Sequence, residues 1–96
     1  MSMIQQYLEA AETAYLLKEL RRRTFPVPGA VYRHFKGDTY KVLAVGPHAS
    51  DKRKMVAYRK FTMATGELTG DVWIRDLSDW CSSALHGQVR FERIDL

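Results

Sequence analysis

Cysteine is nearly absent from this chain: Cys81 is the one thiol in 96 residues, so no disulfide can close within it. Long apolar runs are missing too. The longest, such as Ala14-Tyr15-Leu16-Leu17, fall far short of the roughly 20 residues that a membrane-spanning helix needs. No basic start leads into an apolar run with a small-residue cleavage site, the pattern of a secretion signal. Together these absences lead us to expect a reducing, cytoplasmic setting and no membrane. Soft metal ligands are confined to His34, His48, His86 and Cys81, and no two of them have the close spacing of a zinc site. No paired carboxylates stand near His34 or His48, and Cys81 falls on the apolar face of an expected helix beside Trp80. Nothing therefore spells out an activated nucleophile, and the expectation is a non-catalytic domain without metal or cofactor. Internal repeats and low-complexity segments are lacking as well.

What the chain does have is unevenly placed positive charge. The net formal charge is +4. Residues 29–61 hold eight cations against two anions, whereas residues 62–96 hold three against six. A cationic middle on an otherwise balanced chain attracts nucleotides, nucleic acid or acidic proteins. At this length the chain forms one domain with a modest core.

Residues 2–23 read as an amphipathic helix. Ser2 and Gln5 have capping-box spacing, Ile4, Leu8, Ala11 and Tyr15 form an apolar stripe, and Lys18 and Arg21-Arg22-Arg23 favour the C-terminal end of the helix dipole. Pro26 and Pro28 end the helix, dividing the chain into a helical segment, 1–25, and a domain proper, 29–96. From Gly29 the pattern is β: strands are expected over 30–36, 39–45, 55–61, 71–77 and 88–94, with a short helix over 78–87. The fold class is α+β and mostly β. The architecture is a small bent antiparallel sheet or an SH3-like barrel, with an N-terminal helix and one short helix before the last strand.

The stretch Gly29-Ala30-Val31-Tyr32-Arg33-His34-Phe35-Lys36-Gly37-Asp38-Thr39-Tyr40-Lys41-Val42-Leu43, followed by His48, Val56-Ala57-Tyr58-Arg59 and Trp73-Ile74-Arg75-Asp76-Leu77, resembles the bacterial and phage family called domain of unknown function 1653. Phe91 and Ile94 fit the family's closing residues, so the resemblance covers 29–94. Three features depart from the family pattern. His48-Ala49-Ser50-Asp51 replaces His-Ser-Glu-Thr, the segment between Tyr58 and Trp73 is longer, and Asp76 stands where Pro is common. The resemblance implies a compact β domain and no particular activity.

Strand alternation places Tyr32 with His34, Tyr58 with Lys60, and Trp73 with Arg75. If the strands meet, these aromatics converge with an Arg and a His, a combination that suits a flat anionic ligand. Rings stack on a base while Arg makes paired hydrogen bonds to phosphate or carboxylate. The expected ligand set is Tyr32, Arg33, His34, Lys36, His48, Tyr58, Trp73 and Arg75, and the expected ligand is small, anionic and nucleotide-like. The plainer reading of the same residues is that the rings are core and that Arg and His are scaffold. Two other roles compete. Lys52, Arg53, Lys54, Arg59 and Lys60 could track the phosphates of a nucleic acid, and the N-terminal helix could join copies of the chain into a homo-oligomer.

Overall fold

The computed structural model describes residues 15, 18, 21–84 and 87–95. Tyr15, Lys18 and residues 21–24 are helical; the remainder of the expected N-terminal helix lies outside the described residues. The helix ends where Phe25 N–H donates to the Arg21 carbonyl at 2.8 Å, just before Pro26 removes the next donor.

Five antiparallel strands follow: β1 (Val31–His34), β2 (Thr39–Pro47), β3 (Lys54–Thr62), β4 (Glu67–Asp76) and β5 (Phe91–Ile94). They form one sheet in the order β4-β3-β2-β1-β5. The sheet is bent and unclosed, with no ladder between β4 and β5. A four-residue helix, Leu77–Trp80, precedes the last strand. It is shorter than the expected 78–87. The chain leaves it at Cys81, which is exposed rather than packed in the core, and an isolated bridge joins Ser83 to Val89. Strand ends also differ from expectation. β2 runs through Gly46-Pro47, because Pro lacks only the donor and is tolerated at a strand end. β4 begins at Glu67, four residues before the expected 71.

Two irregularities shape the sheet. Leu43 is an extra residue in β2, because Val42 pairs with Tyr58 and Ala44 with Ala57. In β4 three residues, 70–72, stand opposite Arg59 alone, since Tyr58 pairs with Trp73 and Lys60 with Thr69. Gly70 takes φ +75° there, a conformation that costs a side-chain-bearing residue dearly. The Arg59 Nε–H then reaches the Gly70 carbonyl at 2.8 Å. Bulges bend and twist a sheet, and here β4 swings toward β5.

The concave face holds the core. Tyr32, Val42, Val56, Tyr58, Trp80 and Phe91 form one buried cluster there, while Val31 and Phe61 are buried on the other side of the sheet. Trp80 stacks flat on Phe91 with ring centroids 3.7 Å apart and meets Tyr32 and Tyr58 edge-on. The connector is fastened to the same core. The Tyr32 hydroxyl donates to the Phe25 carbonyl at 2.7 Å and accepts from Val27 N–H at 2.9 Å, and Trp80 Nε1–H donates to the Thr24 carbonyl at 2.9 Å.

Candidate functional site

The β1–β2 hairpin positions one side of the site. Gly37, at φ +112°, permits the tight turn, which closes with His34 N–H on the Asp38 carbonyl and Gly37 N–H on the His34 carbonyl, both at 2.8 Å. That turn fixes His34, Lys36 and Asp38 at the mouth of the sheet. Cross-strand pairing then sets His34 beside Phe91 and Tyr58 beside Trp73. The bend carries Arg75 on β4 over the ring of Phe91 on β5, 5.4 Å from its centroid. The result is a cleft of about 280 Å³ lined by His34, Lys36, Asp38, Tyr40, Tyr58, Trp73, Arg75 and Phe91.

Five of the eight expected ligand residues meet here: His34, Lys36, Tyr58, Trp73 and Arg75. The other three lie elsewhere. Tyr32 is fully buried, its hydroxyl spent on the backbone of the connector. Arg33 alternates to the opposite side of β1, in a groove with Glu92, Arg93 and Ile94. His48 sits at the far end of β2, where its Nδ1 accepts from Ser50 N–H at 3.2 Å and lies 3.4 Å from Asp51. Three cleft residues went unassigned in the sequence. Asp38 is an ordinary turn residue. Tyr40 stands one strand residue past the turn, on the same face as Val42. Phe91 reaches the cleft only because β5 pairs with β1, a non-local contact that local pattern cannot reveal.

The cleft's chemistry is polarised. Arg75 Nε–H donates to the Tyr58 hydroxyl at 3.2 Å, and Nη1–H donates to Asp79 at 2.7 Å. Partial burial opposes the charge on Arg75, but Tyr58 and Asp79 outweigh it, so the guanidinium is held protonated more firmly than usual. Two of its five donors are thereby used and the rest are available. His34 Nδ1 accepts from Lys36 N–H at 3.2 Å, which leaves Nε2 as the donor of the neutral ring. Partial burial and the positive charges of Arg75, Arg90 and Lys36 lower the His34 pKa below its ordinary 6.5. Trp73 is 55% exposed, so a face of the indole is open to solvent. The cleft thus combines two cations, one carboxylate, a neutral imidazole donor and an open aromatic surface.

The basic stretch behaves differently. Arg53 binds Asp51 at 2.7 Å and Asp76 at 3.1 Å, and Asp76 is the residue standing where the family resemblance expects Pro. Arg59 points to Gly70. Lys60 lies 3.8 Å from Asp38, on the face opposite Arg59. Lys52 and Lys54 are exposed in and beside the loop. These five cations do not line one surface. The arginines in the last turn of the N-terminal helix are likewise engaged: Arg22 pairs with Asp95 at 3.7 Å and Arg23 with Glu92 at 3.8 Å.

Among the described residues, no three His, Cys, Asp or Glu side chains are grouped to hold a metal ion, and no helix is long and apolar enough to cross a membrane. A family model described as "Protein of unknown function (DUF1653)" matches residues 30–94. No curated protein and no solved structure matches the chain.

Proposed function

From a chain that belongs to the DUF1653 family of proteins of unknown function, we propose a non-catalytic binding module for a small, planar, anionic ligand of nucleotide-like chemistry. The observation that supports this most is the juxtaposition of Arg75 and Trp73, two residues apart on β4, at one cleft with His34 and Lys36 opposite. An anionic group can accept from the free Arg75 donors, from His34 Nε2–H and from Lys36, while a flat ring lies on the exposed indole. Charge-assisted bonds of this kind contribute about 1.5–3 kcal/mol each, and stacking on an aromatic about 1–3 kcal/mol per base. The converse occupant, an organic cation in an aromatic cage, is disfavoured because Arg75 already sits over Phe91 within that cage. The volume falls at the small end of ligand pockets, which start at roughly 300 Å³, so the reading is for one nucleotide or a smaller anion.

The test is a fluorescence and thermal-unfolding titration of the full chain with inorganic phosphate, nucleosides, nucleoside monophosphates and short oligonucleotides. Trp80 is fully buried, so quenching of the exposed indole reports Trp73 directly. Saturation by a monophosphate at about one hundred times its dissociation constant adds roughly 2.7 kcal/mol. That is a rise in Tm on the order of ten degrees for a domain of this size. The response is expected to disappear in Arg75→Ala. A response to oligonucleotides alone, lost steeply with salt and unaffected by Arg75→Ala, would move the function to the basic loop.

A further inference from the structure

One carboxylate, that of Asp38, lines the cleft among its cations. A turn aspartate ordinarily spends its side chain on the backbone of its own turn. The β1–β2 turn closes instead through backbone groups, with His34 N–H on the Asp38 carbonyl and Gly37 N–H on the His34 carbonyl. Among the described residues the Asp38 carboxylate reaches only Lys60 Nζ, at 3.8 Å. Lys60 is not part of the cleft lining, and both side chains of this pair are more than half exposed, 52% for Lys60 and 60% for Asp38, so the pair is weak. The cleft's own guanidinium does not neutralise Asp38, because Arg75 is bound to Asp79, outside the lining. Burial and then the Asp38 charge raise the Tyr40 pKa above its ordinary 10.0, so a neutral hydroxyl stands beside the carboxylate. An ionised carboxylate only accepts hydrogen bonds. It holds a ligand hydroxyl and repels a further anionic group. Dinucleotide sites use the same chemistry: a carboxylate accepts from the ribose hydroxyl, and an arginine serves where a phosphate takes that hydroxyl's place.

On the reading that the cleft takes a nucleotide-like anion, we propose that Asp38 is its specificity-determining residue, accepting from a sugar hydroxyl and confining the ligand to one phosphate, so that the ligand class is the ribonucleoside monophosphate. Arg75 and His34 hold the phosphate, Trp73 the base and Asp38 the sugar.

The test follows Trp73 fluorescence and thermal unfolding of the full chain with the ribonucleoside monophosphates of the four bases, then with the dideoxy analogue, the diphosphate and the triphosphate of whichever binds most tightly. The wild type is expected to bind the monophosphate about tenfold or more tightly than the dideoxy analogue, which gives Asp38 no hydroxyl, and about tenfold or more tightly than the triphosphate, whose added charges meet the carboxylate. Both preferences should disappear in Asp38→Ala. Asp38→Asn keeps an acceptor without the charge, so it should lose only the preference against added phosphates. Circular dichroism checks that both variants fold, and the ratios between ligands, not the absolute affinities, are the readout. A wild type that binds the monophosphate but ranks the ligands as Asp38→Ala does overturns the role of Asp38 and leaves the anion cleft standing. If no monophosphate binds the wild type or either variant, the ligand reading itself falls, and this proposal with it.

Discussion

The two ends of the β2–β3 hairpin carry similar chemistry in sequence and opposite arrangements in space. At one end Lys36, Arg75 and His34 face a shared concavity floored by Tyr40, Tyr58 and Phe91. At the other, Arg53 is consumed by Asp51 and Asp76, His48 is turned back on its own loop, and Lys52 and Lys54 stand apart in solvent. A count of cations favours the loop, which holds three in succession. Convergence favours the cleft, because strand pairing draws residues from β1, β3, β4 and β5 to one place. Positive charge on exposed side chains is screened and cheaply neutralised; beside aromatic walls, with donors already aimed, it can select a ligand.

The sharpest way to break this contrast is to remove the floor of the cleft. Trp80→Ala takes away the ring stacked beneath Phe91 and should cost about 3–5 kcal/mol of stability, measured by denaturant unfolding. A cost below about 1 kcal/mol would mean that the cleft does not depend on that stack. Next, Arg75→Ala should weaken monophosphate binding by roughly 10- to 150-fold, equivalent to losing about 1.5–3 kcal/mol. Trp73→Ala should weaken it comparably or less while changing Tm little, because the indole is largely exposed. The two substitutions separate charge from stacking when nucleosides and phosphate are titrated in parallel.

A smaller effect follows from His34. Its folded pKa lies below the unfolded value of 6.5, so the unfolded chain binds more protons between those two values. Stability is therefore expected to be full above about pH 6.5 and to fall as pH drops through the folded pKa. His34→Gln should flatten that dependence, and an unchanged slope would assign it to other groups. The smallest effect belongs to the loop. Lys52 holds φ +63°, a conformation that glycine adopts more easily. Lys52→Gly should raise stability by up to about 1 kcal/mol and leave monophosphate affinity unchanged. A drop in affinity would erase the distinction between the two ends.

Alternation made much of this legible in advance. Alternation put Trp73 with Arg75 on one face of their strand, but their meeting with His34 and Tyr58 was conditional on how the strands pair. It failed for Tyr32, which shares the face of His34 but lies two residues deeper, where the concave sheet has closed into core. It failed for Arg33, whose opposite facing was evident in the same alternation although its charge drew it into the expected set. The double insertion in β4 was legible only as a longer segment before Trp73. Its consequence, the swing that lays Arg75 over Phe91, depends on how two distant strands meet. The expected helix over 78–87 is too long because a cap at its start, Gly87 at its end and Trp80, Cys81, Ala84 and Leu85 at helical spacing fit that pattern locally, yet the chain leaves the helix after Trp80 and Ser83 bridges Val89.

The bonds from Tyr32 and Trp80 to residues 24–27 join the helix end and the connector to the core. Trp80 grips the Thr24 carbonyl on one side and the ring of Phe91 on the other. One indole thus spans from the last turn of the N-terminal helix to the ring beneath Arg75, so the end of the helix and the floor of the cleft share a single side chain as their common anchor.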